Sequence, residues 1–293
     1  MRYILENDEL RLEVDSFGAE LKSVKSKKTG EEYMWQGDPK YWGRTSPVLF
    51  PFVGSLKNKQ FIYEGNAYPM EQHGFARDME CTLVSISDSE IWFKLCSSEE
   101  TLAKFPFEFQ LSIGYKLNRN EVKVLWKVKN PSEKVLYFSI GAHPAFNCPI
   151  HGEDNKNGYS LYFGNVDEIH HHGNTTDTGL ALMNEDIVIP LTDHTTEIVA
   201  EFFDRCTYMI EGKQTDTVGI VDPLGRRFVT VKFDMPLFAI WSPEKKNAPF
   251  ICIEPWLGRC DAEDFNGTLE EREYGNKLSS DEIFETEYTM IFD

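Results

Sequence analysis

The sequence lacks the features that mark several large classes of protein. No apolar run approaches the roughly 20 residues that are needed to span a bilayer. Residues 1–15 mix charged residues through the apolar positions, which leaves no hydrophobic region for a signal peptide. Basic residues are also few, since 30 Lys and Arg face 48 Asp and Glu for a net charge of −18. Such a chain repels phosphate backbones and anionic lipid. We therefore predict a cytosolic protein without nucleic-acid or membrane partners.

Cysteine is scarce, and no two cysteines form a C-x-x-C pair. Zinc or redox use is therefore poorly supported, and buried free thiols are the simpler interpretation. Residues 170–172 are all histidine, but three consecutive residues in a strand or loop cannot all point at one ion. The neighbouring Asp167 and Glu168 instead indicate a polar loop, so we predict no metal site. The cysteines are Cys81, Cys96, Cys148, Cys206, Cys252 and Cys260.

What the sequence has in abundance is alternation of apolar and polar residues with a period of two. Apolar residues alternate from Phe107 to Leu117, turn-forming residues follow, and alternation resumes from Val122 to Val128, which predicts a long antiparallel hairpin. Helical periodicity is weak throughout, with one possible turn at 98–104. We therefore predict an all-β fold. Further strands are predicted at 82–87, 91–96, 187–190, 228–233, 250–254 and 288–292.

The chain is long enough to bury a sizeable core. It has 293 residues, of which 41% are hydrophobic and 13% aromatic, and on length alone it could form one large or two ordinary domains. No internal repeat, Gly/Ser-rich linker or break in composition divides it, so we predict a single domain over residues 1–293. An antiparallel sandwich of this size has a concave face that could hold a small molecule.

Two histidines lie where the backbone is restricted. His143 follows the apolar run 135–140 and sits between Gly141 and Pro144, so the chain has few conformations there. A restrained histidine at a strand end can donate a proton. His73 precedes Gly74. A single histidine is more often a core or surface group than a catalyst, but two that each lie near a glycine strengthen the catalytic interpretation.

A carboxylate closes the apolar strand predicted at 250–254. Alternation places Cys252 and Glu254 on one face, and Pro255 then ends the ladder. Apolar surroundings disfavour the charged form of a carboxylate and can tune it towards general-base work near neutral pH. The alternative is an edge carboxylate that points to solvent. Trp256 offers a face on which a sugar ring could stack.

Two further polar residues are candidates for ligand binding. Arg44 lies in a segment rich in aromatics and proline, and its guanidinium offers a fixed fork of donors that suits vicinal hydroxyls, a carboxylate or a phosphate. It could equally be a surface arginine in an aromatic loop. Asp204 could be a pocket carboxylate or a turn residue, and nothing local decides between them.

Four segments, taken in order, resemble the aldose 1-epimerase (mutarotase) family, and most closely its bacterial LacX-like branch. They are residues 35–39 continuing through 42–51, 72–78, 141–146 and 253–256. The resemblance implies a large antiparallel β-sandwich, the galactose mutarotase-like supersandwich, in agreement with the strand pattern. It also implies interconversion of the α and β anomers of a free aldose, a small-molecule sugar, without a cofactor.

The resemblance also implies roles for individual residues. His143 would be the general acid that protonates the ring oxygen, and Glu254 the general base that takes the proton from the C1 hydroxyl. His73 matches a histidine that positions or polarises the sugar, and Arg44 matches an arginine that binds hydroxyls. Asp204 is a weaker match for a substrate-binding carboxylate.

Several alternatives stay open at this point. A related branch of the family epimerises hexose 6-phosphates and uses arginines for the phosphate, so Arg44 with Arg77 leaves that substrate open, although the net charge of −18 weighs against it. A sugar-binding protein without catalysis could use the same aromatics and Arg44. A glycoside hydrolase could use Glu254 and Asp204 as its two carboxylates. The oligomeric state is not predicted.

Overall fold

The computed structural model describes residues 1–153, 155–205 and 207–293. Antiparallel strands make up almost all of the regular structure, which confirms the all-β prediction. The strands are β1 Arg2–Glu6, β2 Leu10–Asp15, β3 Glu20–Ser26, β4 Val48–Leu49, β5 Gln60–Tyr63, β6 Asn66–Pro69, β7 Thr82–Ile86, β8 Glu90–Cys96, β9 Gln110–Asn118, β10 Glu121–Lys129, β11 Leu136–Phe138, β12 Ile140–Ala142, β13 Ala145–Asn147, β14 Ser160–Tyr162, β15 Glu168–Asn174, β16 Ala181–Pro190, β17 Thr195–Glu197, β18 Tyr208–Glu211, β19 Thr217–Val221, β20 Arg227–Phe233, β21 Leu237–Trp241, β22 Phe250–Leu257, β23 Asn276–Leu278 and β24 Ile283–Phe292. The helical segments are α1 Glu99–Lys104 and the 3₁₀ turns Lys57–Lys59, Ala76–Asp78 and Leu269–Glu271.

Two large sheets form the sandwich. In one, nine strands follow the order β17-β14-β19-β20-β24-β10-β9-β8-β7. The other sheet has eight strands: seven follow the order β16-β15-β18-β21-β22-β12-β4, and the eighth, β13, pairs with β22. One hydrophobic cluster contains inward-facing residues of both sheets, such as Val124 and Ile113 of the first and Ile251 and Ile253 of the second. The single-domain organisation over residues 1–293 stays a prediction.

The predicted hairpin is present as β9 and β10. Asn118 pairs with Glu121 across the turn, and the ladder continues to the pairing of Gln110 with Lys129. Along both strands buried residues alternate with more exposed ones, because every second side chain faces the inter-sheet core. The predicted helical turn is also confirmed as α1, whose first turn is capped by Ser98.

The histidines at 170–172 lie in β15 and not in the predicted polar loop. The strand places their side chains on alternating faces. His170 Nδ1 lies 3.0 Å from Asp186 Oδ1, and His172 Nδ1 lies 2.6 Å from the carbonyl oxygen of Glu185. The side chain of His171, on the other face of the strand, is buried. The loop prediction failed because β16 supplies polar partners that the local sequence does not show.

The prediction of buried free thiols is mostly confirmed. Four of the five described cysteines are buried and unpaired, whereas Cys96 is exposed, and Cys206 lies outside the described residues. No helix in the described part of the chain is long and apolar enough to cross a membrane.

Candidate active site

Glu254 lies near the middle of the eight-stranded sheet, on β22 between β21 and β12. The predicted alternation holds, since Ile251 and Ile253 face the inter-sheet core while Cys252 packs on the opposite face. Glu254 shares that opposite face and lines an open cavity of about 1100 Å³. Its side chain is only 1% exposed. The carboxylate is therefore interior, and the alternative of an edge carboxylate pointing to solvent is wrong.

The strand register places His143 opposite Glu254. β12 pairs Gly141 with Trp256, and β13 pairs Ala145 with Cys252. Three residues lie between these pairs on each strand, so residue 143 faces residue 254 across the ladder. Between these pairs the N–H of Ile253 donates to the carbonyl of Pro144 at 3.4 Å, although Pro144 and Pro255 have no N–H to donate. His143 Nε2 lies 3.4 Å from Glu254 Oε2.

Aromatic rings fix the orientation of His143. Trp42 stacks on the imidazole with centroids 4.6 Å apart, and the edge of Trp241 meets it at 5.4 Å. Trp256 lines the cavity nearby and donates its Nε1–H to the carbonyl of Ala142 at 3.2 Å. Gly141 makes room for it, since a Cβ at this position would lie 2.7 Å from Trp256 Cδ1. The ring of His143 is therefore held against the carboxylate.

The second histidine is held in one tautomer. The N–H of His73 donates to the carbonyl of Gly54 at 3.0 Å, and the N–H of Gly54 donates to His73 Nδ1 at 3.0 Å. Because Nδ1 accepts a hydrogen bond, the neutral ring carries its proton on Nε2. Burial, with help from Arg77, lowers the pKa of His73 well below its usual value. His73 is therefore a neutral hydrogen-bond donor, and its ring lies 5.5 Å from that of His143.

Burial shifts the pKa values of Glu254 and His143, the pair that faces each other across the ladder, in opposite directions. It raises the pKa of Glu254 well above 4.5, with Trp256 acting weakly against it. Burial and then the charge of Arg77 lower the pKa of His143 to about 3. Groups this close titrate as a pair. Between the two pKa values the pair holds a single proton, and burial favours placing it on Glu254.

The two arginines share one aspartate as their ion-pair partner. Arg44 donates to Asp78 at 2.8 Å, and Arg77 Nε lies 3.6 Å from the same carboxylate. Arg77 lines the cavity, whereas Arg44 does not. Both charges nevertheless act on the pair, since each lowers the pKa of His143. The structure thus brings Arg77 to the cavity and leaves Arg44 beside it.

Asp204 does not reach this cavity. It lines a separate recess of about 30 Å³ and accepts a hydrogen bond from the N–H of Lys245 at 3.1 Å. Asp204 is therefore not among the residues that the structure places around the cavity of Glu254, where a substrate-binding carboxylate was expected. The glycoside-hydrolase alternative assigned its second carboxylate to Asp204, which lies outside this cavity.

Sequence reasoning missed several cavity residues. Trp241 of β21 pairs with Cys252 of β22. A prediction that these two strands pair could therefore have indicated that Trp241 lies near Glu254. Most of the remaining lining comes from the segments 55–59 and 174–180. These are largely loops without a motif, and no local signal could have found them.

One group of side chains in the described part of the chain has spacing that could suit a metal ion. The ligand atoms of His143, Cys252 and Glu254 lie within 4.8 Å of one another. Burial raises the pKa of the Cys252 thiol well above its usual value, so a metal would have to displace the thiol proton, which weakens Cys252 as a ligand. The arrangement fits proton exchange better than metal coordination.

The fold places a histidine and a carboxylate together in the lining of a cavity, and comparison with known proteins identifies the class of protein. The sequence model of the aldose 1-epimerase family matches residues 1–262. Protein LacX of Lactococcus lactis is 30% identical over 281 residues, which span 94% of this chain and 93% of that protein. The chain therefore belongs to the aldose 1-epimerase family, whose members are isomerases that act on small-molecule sugars.

Solved structures agree with this assignment. A galactose mutarotase related enzyme from Lactobacillus acidophilus superposes with a TM-score of 0.93 at 33% identity, covering 100% of this chain and 97% of that one. A galactose mutarotase-like protein from Lactobacillus casei gives a TM-score of 0.91 at 27% identity, covering 100% of both chains. The galactose mutarotase-like sandwich expected from the sequence is thereby confirmed.

Proposed function

We propose that the protein interconverts the α and β anomers of a free aldohexose, with Glu254 as general base and His143 as general acid. The observation that carries this proposal is the separation of 3.4 Å between His143 Nε2 and Glu254 Oε2 in the lining of the cavity. Anomer exchange requires removal of the proton from O1 and protonation of the ring oxygen. A pair that holds one proton has one acid and one base, which is sufficient.

The reaction begins when the shared proton moves from Glu254 to His143, which makes the carboxylate a base and the imidazolium an acid. Glu254 then takes the proton of O1 while His143 protonates the ring oxygen, and the C1–O5 bond breaks to give the aldehyde. Rotation about C1–C2 presents the other face of the aldehyde carbonyl to O5. The ring then closes as His143 takes its proton back from O5 and Glu254 returns a proton to O1. His73 donates its Nε2–H to a sugar oxygen and holds the ligand during this sequence.

The hydrogen bonds that Arg44 and Arg77 already make within the protein favour a sugar without a phosphate. Strong phosphate sites use arginines whose forks are free to bind two oxygens. Here Arg44 donates to Asp78, and Arg77 donates to the carbonyl of Gln72 at 2.6 Å. A free aldohexose needs only hydroxyl partners, which the cavity supplies. Hexose 6-phosphate is the alternative substrate that an assay must include.

The proposed activity is tested by NMR exchange spectroscopy of anomers at equilibrium. Glucose, galactose and glucose 6-phosphate are each measured with the protein and with buffer alone, since buffer also catalyses the exchange. We expect faster exchange of at least one free aldohexose, with glucose 6-phosphate slower. Faster exchange of glucose 6-phosphate alone would overturn the substrate assignment, and exchange at the buffer rate for all three would overturn catalysis.

The pH dependence of kcat/KM follows from the paired titration. As pH falls through the pKa of His143, at about 3, a second proton binds and the base is lost. As pH rises through the pKa of Glu254, which lies well above 4.5, the last proton leaves and the acid is lost. We therefore expect a broad bell-shaped profile. A narrow optimum between 4.5 and 6.5, the ordinary pKa values of the two groups, would contradict this prediction.

A further inference from the structure

The ring of His73 depends on one hydrogen bond for its protonation pattern. In the part of the chain that the structure describes, the N–H of Gly54 is the one hydrogen-bond partner of the imidazole, 3.0 Å from Nδ1. A neutral imidazole without that bond can carry its proton on either nitrogen. The proposed function requires the proton on Nε2, as a donor to the sugar. Whatever holds Gly54 in place therefore also maintains this donor.

The loop that contains Gly54 is bound by Asp261, which lies beyond the end of β22. The N–H of Lys57 donates to Asp261 Oδ2 at 2.8 Å, and the N–H of Asp261 donates to the carbonyl of Ser55 at 2.9 Å. The side chain and the backbone of one residue thus bind both Lys57 and Ser55. Because Gly54 directly precedes Ser55, its peptide group is held by the same contacts.

Gly54 also packs directly against the residue before Asp261. Its φ is +72°, and a Cβ added there would lie 2.5 Å from the Cβ and 2.6 Å from the backbone N of Cys260. Only glycine permits so close an approach in this conformation. Cys260 is itself buried, at 4% exposed. The position of Gly54 is therefore set by the chain at residues 260 and 261.

A buried ion pair fixes the carboxylate of Asp261. Arg272 Nη1 donates to Asp261 Oδ1, and both charged side chains are 5% exposed. Arg272 is held in turn, since its Nη2 donates to the carbonyl of Arg259 at 2.8 Å. Each oxygen of the carboxylate has its own partner, Arg272 for Oδ1 and Lys57 for Oδ2. The carboxylate therefore has little freedom to leave the loop.

We propose that Asp261 is a positioning residue for His73. By binding Ser55 and Lys57 it holds the N–H of Gly54 at Nδ1, and so it keeps the proton of the ring on Nε2. Asp261 does not line the cavity of Glu254, so it acts only through the loop. The effect on sugar binding rests on the proposed function, whereas the effect on the ring of His73 is measured without sugar.

Loss of the Asp261 carboxyl is expected to change KM more than kcat. The hydrogen bond from His73 to the sugar is made in the ground state and in the transition state alike, and such a contact lowers KM and leaves kcat little changed. We expect KM to rise by about 5-fold, the usual effect of one hydrogen bond. The nitrogen chemical shifts of the His73 ring should change from a single tautomer to a mixture of two.

The test uses variants that separate the carboxyl of Asp261 from the charge balance of the buried pair. Asp261→Ala alone leaves Arg272 buried without its partner, which is strongly destabilising. The double variant Asp261→Ala with Arg272→Met removes both charges, so folding should be preserved. Arg272→Met alone keeps the carboxyl, which accepts from the N–H of Lys57 whether charged or neutral. We expect the changes in His73 and in KM only where the carboxyl is missing.

Asp222→Ala is the control for a general loss of stability. Asp222 is another buried aspartate, 2% exposed, which pairs with Arg226 and accepts backbone N–H groups. It lies outside the cavity lining. Its replacement should lower the free energy of unfolding in urea, while the nitrogen shifts of His73 and KM stay those of the wild type.

Two outcomes would overturn the inference. If the double variant keeps the single tautomer of His73 and the wild-type KM, Asp261 does not position the ring, while the proposed function stands. If Arg272→Met disturbs His73 as strongly as the double variant does, general loosening of the fold is the cause. If the wild type exchanges anomers no faster than buffer, the proposed function fails, and the ring shifts still decide whether Asp261 holds His73.

Discussion

Replacing Glu254 by glutamine is expected to lower kcat/KM for anomer exchange by about 10²–10⁴-fold, the usual contribution of positioned proton transfer. Glutamine nearly matches the shape of the carboxylate but cannot take the proton of O1 or share one with His143. The loss should appear mainly in kcat, because the cavity and its hydrogen-bond partners stay in place. NMR exchange at saturating and limiting sugar separates the two constants.

The same substitution is expected to stabilise the fold. The pKa of Glu254 is raised in the folded state, so the folded chain binds more protons than the unfolded one above pH 4.5, and its stability falls as pH rises towards the raised pKa. Glutamine removes that loss, and we expect a gain of about 1–2 kcal/mol near neutral pH in urea unfolding. No such gain is expected at pH 4, where Glu254 is protonated.

The control for Glu254→Gln is Glu244→Gln, which removes another carboxylate from the lining of the same cavity. The ion-pair partner of His143 is Glu254, and Glu244 is not among the groups that shift the pKa of His143, so its replacement should lower kcat/KM far less. If both variants lose activity equally, the general effect of cavity charge, and not a base at Glu254, governs the rate. If neither loses activity, the base assignment fails.

Replacing Gly74 by alanine is expected to destabilise the protein by about 3 kcal/mol or more. Gly74 has a φ of +69°, and a Cβ there would lie 2.4 Å from the carbonyl oxygen of Phe50. That oxygen accepts hydrogen bonds from the N–H groups of Phe75 and Ala76, so it cannot withdraw without breaking them. Because His73 is the preceding residue, the strain should also weaken sugar binding. Urea unfolding and KM measure the two effects.

The matched control is Gly65→Ala in the turn between β5 and β6. Gly65 has a similar φ of +76°, but no atom lies within 4 Å of an added Cβ. Its replacement should therefore cost only about 1 kcal/mol, the price of the backbone conformation alone. Equal losses for the two variants would show that the close contact at Phe50 is not the cause.

The sequence predicted the elements whose signal is local. Alternation identified the β9–β10 hairpin and put Glu254 on the face of β22 opposite Ile253. The restricted backbone around His143 marked a strand end, and the structure places that residue between β12 and β13. In each case the signal, a period of two or a proline without an N–H to donate, spans only a few residues. It is therefore visible in the sequence without knowledge of which distant segments pack together.

Other features depend on contacts between distant segments and could not be predicted. The tautomer of His73 is set by the N–H of Gly54, and the compensation of Arg44 requires Asp78. Asp204 was ambiguous because the direction of an irregular segment is set by what it packs against. For the same reason the segment 55–59 of the cavity lining, which Asp261 contacts from beyond the end of β22, had no signal in the sequence.

His143 and Glu254 are held by the pairing of β12 and β13 with β22, whereas most of the remaining cavity lining comes from the largely irregular segments 55–59 and 174–180. The ladder leaves the pair little freedom, since a shift of one residue would turn Glu254 towards the inter-sheet core. Loops accept substitutions and insertions far more readily than central strands. Relatives that share this sandwich can therefore acquire new sugar preferences by exchanging loops while they inherit the same chemistry, and the two properties can evolve separately.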